Sequence, residues 1–343
     1  MNVRKVLFSA LLAGQVLLVG CAKDTEQLPE AEAATEEPTE QAATNQPTAP
    51  FTGVQTETSD RRPILATINN HPLARPQSGL SQADIVYEVL AEGNITRLLA
   101  LYQSELPEEI GPIRSARDYF IDIAEGLDAF YIAHGYSPEA KELLKAEVVD
   151  NINGMQYDGT YFVRSSDRKA PHNSYISKEH VEAAMEDLSI DSKITKVPTL
   201  SFHPNAESAK LGELASTIIV GMPDANFTST YSFDPEKKVY ERVVNGIITT
   251  DKADDKKVTP ANILVMEAPY STIDAEGRQS LDLTTGGPAM LFQNGVALQL
   301  EWKLIDGVIT PVQHGVPAKL VPGQTWVHIV REQSIGTTTT YTP

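Results

Sequence analysis

The sequence contains one cysteine, Cys21, among its 343 residues, which excludes an intramolecular disulfide framework. The fold must therefore rest on a packed core, and a hydrophobic content of 41% is typical of a globular protein. Positive charge is also scarce, because 28 Lys and Arg residues stand against 46 Asp and Glu residues and leave a formal net charge of −18. Nucleic-acid binding depends on Lys and Arg that neutralise phosphates, so this balance argues against a nucleic-acid partner.

The sequence also lacks the spacings that accompany metals and nucleotides. Its seven histidines show no H-x-x-x-H or similar pattern, which argues against a metal site. No glycine-rich phosphate loop follows a predicted strand. We therefore expect neither a metal nor a cofactor.

A targeting signal occupies the N-terminus. Arg4 and Lys5 precede an apolar run over residues 6–19, which at roughly 14 residues is too short to cross a bilayer that needs about 20. The run ends in Leu18-Val19-Gly20-Cys21, the lipobox pattern, which predicts a signal peptide over residues 1–20 and acylation of Cys21 with palmitate-type chains. The alternative is an ordinary secretory signal with an incidental cysteine. Lipidation would anchor the chain to the extracytoplasmic face of the cell membrane without a basic patch.

Residues 21–60 have the composition of a disordered tether. This stretch is rich in Glu, Ala, Thr, Gln and Pro, and after Cys21 it holds nine carboxylates against one lysine, so it has little to bury. A globular body follows. Residues 61–190 mix predicted strands and helices, including a hairpin over 83–103, a helix over 111–127 and helices over 139–147 and 177–188. Residues 191–335 are mainly β, so we expect an α+β fold; whether it forms one body or two lobes stays open.

The hairpin carries charged residues on an apolar face. With Gly93 and Asn94 as the turn, the residue numbers of each pair add up to 187, so Glu92 pairs with Ile95. This register places Glu88, Glu92 and Arg97 on one face, with Glu88 within reach of Arg97. Such charges are costly unless they are paired or open to a site. Either they form a structural ion pair, or an arginine holds a carboxylate at the rim of a cleft.

Arg114 and Arg117 fall in the first turns of the predicted helix, where acidic residues are usually favoured. Two arginines three residues apart, together with free backbone N–H groups, would form a receptor for phosphate or carboxylate. The alternative is that they pair with Glu88 or Glu92.

Two further segments carry candidate polar residues. His134 ends a predicted strand, where turns commonly line ligand crevices, and Ser137 is expected to cap the next helix rather than to act as a nucleophile. His172 and Asn173 stand together in a proline-containing loop that also holds Arg168. We interpret His134 and His172 as candidate proton carriers and Asn173 as a candidate ligand contact.

Six motifs in these segments resemble the YerB-like lipoprotein family, in the same order and over about residues 60–331. They are Ala74–Leu80, Ala83–Glu88, Ile95–Arg97, Gly111–Arg117, Ala170–Asn173 and Gly323–Trp326. The resemblance implies a Gram-positive envelope lipoprotein with a layered α/β sandwich, and it implies no settled activity. The first motif adds Arg75 to the candidate ligand contacts.

Two functions remain open. In the first, the protein binds an anionic or glycan component of the cell wall, or a wall-synthesis partner, through a cleft that includes Arg75, Arg97, Arg114, Arg117 and Asn173. In the second, it is an enzyme acting on wall glycan or on a phosphate-linked precursor. Glu88 or Glu92 would then be the general acid or base, and His134 or His172 would be a second proton carrier.

Overall fold

The first half of the chain alternates strands with helices. The computed structural model describes residues 46–57, 59–198 and 200–343. The strands of this half are β1 (Ile64–Asn69), β2 (Ile85–Glu92), β3 (Ile95–Tyr102), β4 (Glu109–Ile110), β5 (Phe130–Ala133), β6 (Asn151–Asn153), β7 (Phe162–Arg164) and β8 (Ser174–Ser177). The helices are α1 (Asp118–Gly126), α2 (Pro138–Lys145), α3 (Gly154–Tyr157) and α4 (Lys178–Asp187).

The second half is mainly β, as predicted. Its strands are β9 (Ser201–Phe202), β10 (Glu213–Leu214), β11 (Thr217–Val220), β12 (Ser229–Asp234), β13 (Val239–Val244), β14 (Ile247–Ile248), β15 (Asn262–Ala268), β16 (Tyr270–Thr272), β17 (Gln279–Leu281), β18 (Gly287–Gln293), β19 (Val296–Ile305), β20 (Val308–Gln313), β21 (Val316–Pro317), β22 (Lys319–Leu320), β23 (Thr325–Arg331) and β24 (Thr339–Thr342). One short helix, α5 (Ile335–Thr338), lies among them, and 3-10 turns occupy Pro72–Ala74, Leu80–Gln82, Ala206–Ser208 and Ala225–Phe227. The α+β class is confirmed, whereas the layered sandwich stays a prediction.

A single large sheet joins the two halves. Its strand order is β21-β20-β19-β18-β15-β23-β2-β3-β1-β5-β6, and β10 pairs with β19. Strand β23, from the end of the chain, lies between β15 and β2 and is parallel to both. The halves that the sequence distinguishes therefore share one set of backbone hydrogen bonds.

Alternation along the central strands gives this sheet two buried faces. Tyr87 and Leu99 point to one face, which packs against Phe120 of α1 and is called the helix face below. Val86 and Leu98 point to the other, which packs against residues of a second sheet of order β14-β13-β12-β11-β24 and is called the sheet face. Both faces are covered, so a charged side chain on either face of β2 or β3 must find a partner.

The hairpin β2–β3 departs from the predicted register. Glu92 pairs with Ile95 as predicted, but a β-bulge after Leu90 pairs Glu88 with Leu98 instead of Leu99. The end of β2 is also bonded elsewhere, because the Gly93 N–H donates to the Gly277 carbonyl at 2.7 Å. The bulge accommodates this second attachment, and it turns Glu92 to the face opposite Glu88.

The predicted helix over residues 111–127 begins seven residues late. Residues 113–116 are extended, since the amides of Ile113, Arg114 and Ala116 donate to carbonyls of other segments. Helix α1 begins at Asp118, with Arg117 as its N-cap residue. Neither Arg114 nor Arg117 therefore lies in the first turn, and the acidic Asp118 occupies the position that the helix dipole favours. Ser137, in contrast, caps α2 as predicted by accepting from the Ala140 amide at 3.2 Å.

Two predicted boundaries need correction. Residues 46–57, assigned to the tether, belong to the packed body, because Phe51 is fully buried and Thr52 accepts a backbone hydrogen bond from Gly323. At the other end, β24 lies beyond the expected limit at residue 335 and pairs with β11.

Cys21, the signal peptide and the first part of the tether lie outside the described residues. None of the described helices is long and apolar enough to cross a membrane.

Candidate functional site

Polar residues collect at the carboxyl ends of three neighbouring parallel strands. Strands β1, β5 and β6 are adjacent and parallel. Asn69 ends β1, His134 follows β5, and Asn153 ends β6. This edge is where α/β sheets commonly bind ligands, since side chains from several strands and the loops after them meet there.

Arg114 is held at this edge by its backbone. Its amide donates to the carbonyl of Thr67 in β1, and its carbonyl accepts from the amide of His134 after β5. The side chain is partly buried, and its guanidinium has no hydrogen bond or ion pair with any residue that the structure describes. Glu92 and Arg117 act on it only electrostatically. Burial lowers the pKa of Arg114, and Glu92 opposes this shift. A guanidinium left without a partner is available to an incoming anion.

His134 lies next to Arg114 and is fixed on both ring nitrogens. Its Nε2 lies 2.7 Å from a terminal nitrogen of Arg164, and its Nδ1 lies 2.8 Å from the Ser174 hydroxyl. Because arginine can only donate, Nε2 accepts and we assign the ring proton to Nδ1. Burial and the positive charge of Arg164 lower the pKa of His134. A Cβ on Gly154 would overlap the ring, so the absence of a side chain there makes room for the imidazole.

His172 and His71 form a stacked pair on the same surface. Their ring centroids are 4.7 Å apart, and the side-chain amide of Asn69 donates to His172 Nδ1 at 2.9 Å. Burial, His71 and Arg114 lower the pKa of His172. Asn173, the predicted ligand contact, lies 3.3 Å from a terminal nitrogen of Arg164 and accepts from it.

We call the group of His71, Arg114, His134, Arg164 and His172 the basic surface. Arg114 acts electrostatically on both His134 and His172, and its carbonyl accepts from the His134 amide. Arg164 is paired with Asp158, so Arg114 carries the unpaired positive charge of the group. The structure thus brings together three of the predicted residues and adds His71 and Arg164, which the sequence did not single out.

Arg97 and Arg117 form an ion triad with Glu92 on the helix face. Both Glu92 oxygens are 2.7 Å from Arg97 Nη2, and the other arginine also donates to Glu92. The arginine side chains are only 4% and 7% exposed. Burial would raise the pKa of Glu92, but Arg97, Arg117 and the more weakly acting Arg114 outweigh it, so the pKa is lowered. The predicted contact between Glu88 and Arg97 is therefore wrong, because the bulge gives Arg97 a different carboxylate.

Glu88 lies on the sheet face, is fully buried and is surrounded by partners. Asn70 donates to it at 3.0 Å, Thr96 at 3.1 Å, Arg242 at 3.0 Å and the Trp326 indole at 3.2 Å. Burial alone would raise its pKa, but Arg242 and other neighbouring positive charge lower it, so the carboxylate is ionised. We call this group the Glu88 network. It shares no face with Glu92, Arg97 or Arg117.

His328 and Tyr231 complete the network. The Tyr231 hydroxyl and His328 Nε2 are 2.7 Å apart, and His328 Nδ1 is 3.6 Å from a Glu88 oxygen. Burial lowers the pKa of His328 to about 4, so the ring is neutral near pH 7. A neutral histidine leaves Arg242 as the main counter-ion of Glu88.

The alternation of inward and outward positions along the strands could have identified Arg242 as a buried residue. Along β13, Arg242 falls on the inward face between Tyr240 and Val244. Along β23, His328 falls between Trp326 and Val330 in the same way. Charged or imidazole groups at core positions indicate a buried polar network. The local sequence around Arg242 does not predict that its partner is Glu88, more than 150 residues away.

Arg75 joins the network from its edge. Its Nε and one terminal nitrogen donate to the Asn70 carbonyl, and the other terminal nitrogen donates to the Asn226 carbonyl at 3.0 Å. Burial and the nearby Arg242 lower the pKa of Arg75 to about 10, so it is still charged at neutral pH. Arg75 is thus placed with Glu88 rather than with Arg114.

The chemistry open to these groups is binding of negative charge. No group of three or more His, Cys, Asp or Glu residues within the described ranges could hold a metal ion. The lowered pKa values of Glu88 and Glu92 leave both without the proton that a general acid must donate at neutral pH. Neither carboxylate therefore suits the general-acid role, whereas the general-base role and the binding of an anion both stay predictions.

Comparison with known proteins agrees with the motifs. Residues 51–191 match the model for the N-terminal domain of a protein of unknown function (DUF3048), and residues 218–327 match the model for its C-terminal domain. The chain is 42% identical over 286 residues to the Bacillus subtilis (strain 168) protein named "Putative lipoprotein YerB", covering 82% of this chain and 86% of that one. The crystal structure of YerB from Bacillus subtilis matches with a TM-score of 0.80 at 40% identity, covering 87% of this chain and all of that one. The predicted resemblance is confirmed, and the chain belongs to the DUF3048 family of YerB-like proteins.

Proposed function

We propose that the protein is an acylated lipoprotein on the outer face of the cell membrane that binds an anionic group of the cell envelope through the basic surface. The Cys21 lipobox supports the anchor, and so does the printed name of the Bacillus subtilis relative. The observation that carries the binding function is the guanidinium of Arg114, which has no partner among the described residues although acidic residues outnumber basic ones in the chain.

The ligand class follows from the neighbours of Arg114. His172 accepts from Asn69 at Nδ1, so its Nε2–H is left to donate beside the Arg114 guanidinium, a set that suits phosphate or carboxylate oxygens. Both ring nitrogens of His134 are already bonded, so His134 contributes through its charge when it is protonated. Wall polymers and glycan-linked peptides carry such groups. A wall-synthesis protein could present the same chemistry through an acidic segment.

Binding to purified cell-wall material tests the proposal. The full-length chain and its Arg114→Ala variant would be compared by sedimentation with the insoluble wall. We expect at least tenfold weaker retention for the variant, because charge-assisted hydrogen bonds to the anion are lost. Lys303→Ala is the matched control, since it also removes one positive charge but lies outside the basic surface. Equal retention of all three proteins would contradict the proposal.

The pH dependence gives a second readout. Burial and nearby arginines lower the pKa of His134 and of His172, so both rings are largely neutral near pH 7. A bound anion stabilises their protonated forms, so binding takes up protons and should strengthen as the pH falls from 7.5 to 6. The variant with both histidines replaced by Gln should lose this dependence while keeping the contribution of Arg114. Retention that weakens on acidification would count against the assignment.

A further inference from the structure

A pocket of about 210 Å³ opens beside the Glu88 network, between the 72–77 loop and the hairpin β13–β14. The lining residues that matter below are Pro72, Arg75, Pro76, Arg242, Val244 and Ile248. None of them belongs to the basic surface. The pocket is therefore a second candidate site, built from both halves of the chain.

Much of the pocket wall is apolar. Pro72, Pro76 and Val244 line it, and two isoleucines stand at its opening. Ile247 is 71% exposed and Ile248 is 37% exposed, although a large aliphatic side chain is stabilised when it leaves water. An apolar wall with a few polar groups is the usual make-up of a small-molecule site.

The polar side of the pocket is lined by two cations. Arg75 and Arg242 both line it, whereas Glu88 and Asp224, the two carboxylates that act on Arg75, are not among the lining residues. His328 is neutral near pH 7 and adds no charge. Positive groups therefore reach the apolar pocket, and the carboxylates that oppose them lie outside its lining.

Arg75 has hydrogen-bonding capacity to spare. A guanidinium carries five N–H groups, two of them on each terminal nitrogen. Among the described residues, each terminal nitrogen of Arg75 donates one hydrogen bond. One donates to the Asn226 carbonyl and the other to the Asn70 carbonyl. One N–H on each terminal nitrogen is left, which is the number that a bidentate carboxylate accepts.

We infer that this pocket binds a small ligand with an apolar body and a carboxylate end. The carboxylate would lie against Arg75, and the apolar body would lie between Val244 and Ile248. The volume equals roughly seven waters at about 30 Å³ each, which suits a short-chain acid or one terminal residue. Two kinds of ligand combine an apolar body with a carboxylate: a free short-chain acid and the C-terminal residue of a polypeptide.

Ligand-observed NMR with the full-length chain tests the inference. The probes are hexanoate, its uncharged amide, inorganic phosphate, and a tetrapeptide ending in leucine with either a free or an amidated C-terminus. We expect hexanoate or the free-acid peptide to bind at least tenfold more tightly than the matching amide, and phosphate not to compete. Binding of hexanoate indicates a free acid as the source, and binding of the peptide alone indicates a polypeptide terminus.

Three variants locate the binding. Arg75→Gln should weaken it about tenfold, because it removes the charge that recognises the carboxylate. Ile248→Trp should block the pocket while leaving every charge in place, and its partly exposed position keeps the fold intact. Arg114→Ala should have no effect, which separates this pocket from the proposed wall-binding function. Equal binding of acid and amide, or unchanged binding by Ile248→Trp, would overturn the inference.

Discussion

The Glu88 network and the basic surface contain similar residue types, but Glu88 and Arg114 differ in whether their charged groups have hydrogen-bonding partners. Glu88 is fully buried and has four hydrogen-bonding partners on the sheet face. Arg114 is partly buried at the carboxyl ends of the parallel strands, and no partner for its guanidinium is found within the described ranges. Buried charges that are fully paired hold a structure together, whereas a cation without a partner is free to bind a ligand. The comparison therefore gives Glu88 a structural role, and under the proposed function it leaves Arg114 as the cation that binds a ligand.

The two regions are joined by adjacent residues. At the end of β1, Asn69 donates to His172 in the basic surface. The next residue, Asn70, donates to Glu88 and holds Arg75 through its carbonyl. A change in either region can therefore shift the other through one peptide unit, and stability and binding must be measured separately.

The largest expected effect on the free energy of unfolding is in the Glu88 network. Glu88→Ala leaves Arg242 buried without its counter-ion, which should lower the free energy of unfolding by about 3–5 kcal/mol. Urea denaturation followed by circular dichroism measures the change. The double variant Glu88→Leu with Arg242→Met should recover most of the loss, because it removes both charges and keeps their volume. A loss below about 1 kcal/mol in Glu88→Ala would show that the network is not needed for stability.

A smaller effect is expected in the Glu92 triad, which lies on the helix face. Glu92→Ala removes the carboxylate that separates Arg97 from Arg117, and it should cost about 2 kcal/mol, as hydrogen bonds to charged groups typically do. The loss should be smaller than for Glu88, because the Glu92 side chain is 24% exposed and water can reach the arginines. If both variants lost the same amount of unfolding free energy, depth of burial would not be the difference between them.

The hairpin shows what alternation can and cannot predict. The two strands, their turn and the pairing of Glu92 with Ile95 follow from sequence alone. The bulge after Leu90 does not, because it accompanies an attachment to Gly277 that is almost two hundred residues away. One extra residue was enough to send Glu88 and Glu92 to opposite faces, so the predicted single cleft became two separate ion groups.

The segment before α1 shows the same limit of prediction from sequence. Its apolar stripe and Gly-Pro start predict a helix from residue 111, but backbone hydrogen bonds to β1 and to neighbouring segments keep residues 113–116 extended. His134, in contrast, was found by its position after a short apolar strand, a local signal that needs no partner. Residues that end strands were predicted, and the alternative that Arg117 pairs with Glu92 is confirmed. The contact of Glu92 with Arg97 and that of Glu88 with Arg242 were not predicted, because such pairs are decided by tertiary contacts.

The smallest effect on stability is expected at Arg114, and it is the sharpest test of the comparison. Arg114→Ala removes no hydrogen bond or ion pair that involves a described residue, so the free energy of unfolding should change by no more than about 0.5 kcal/mol. Arg117→Ala, three residues along, is the matched control and should cost about 2 kcal/mol because it breaks a buried contact with Glu92. Urea denaturation of both variants side by side gives the two values. A loss at Arg114 as large as that at Arg117 would mean that the first arginine is a structural residue too, and the basic surface would then have no free cation to offer a ligand.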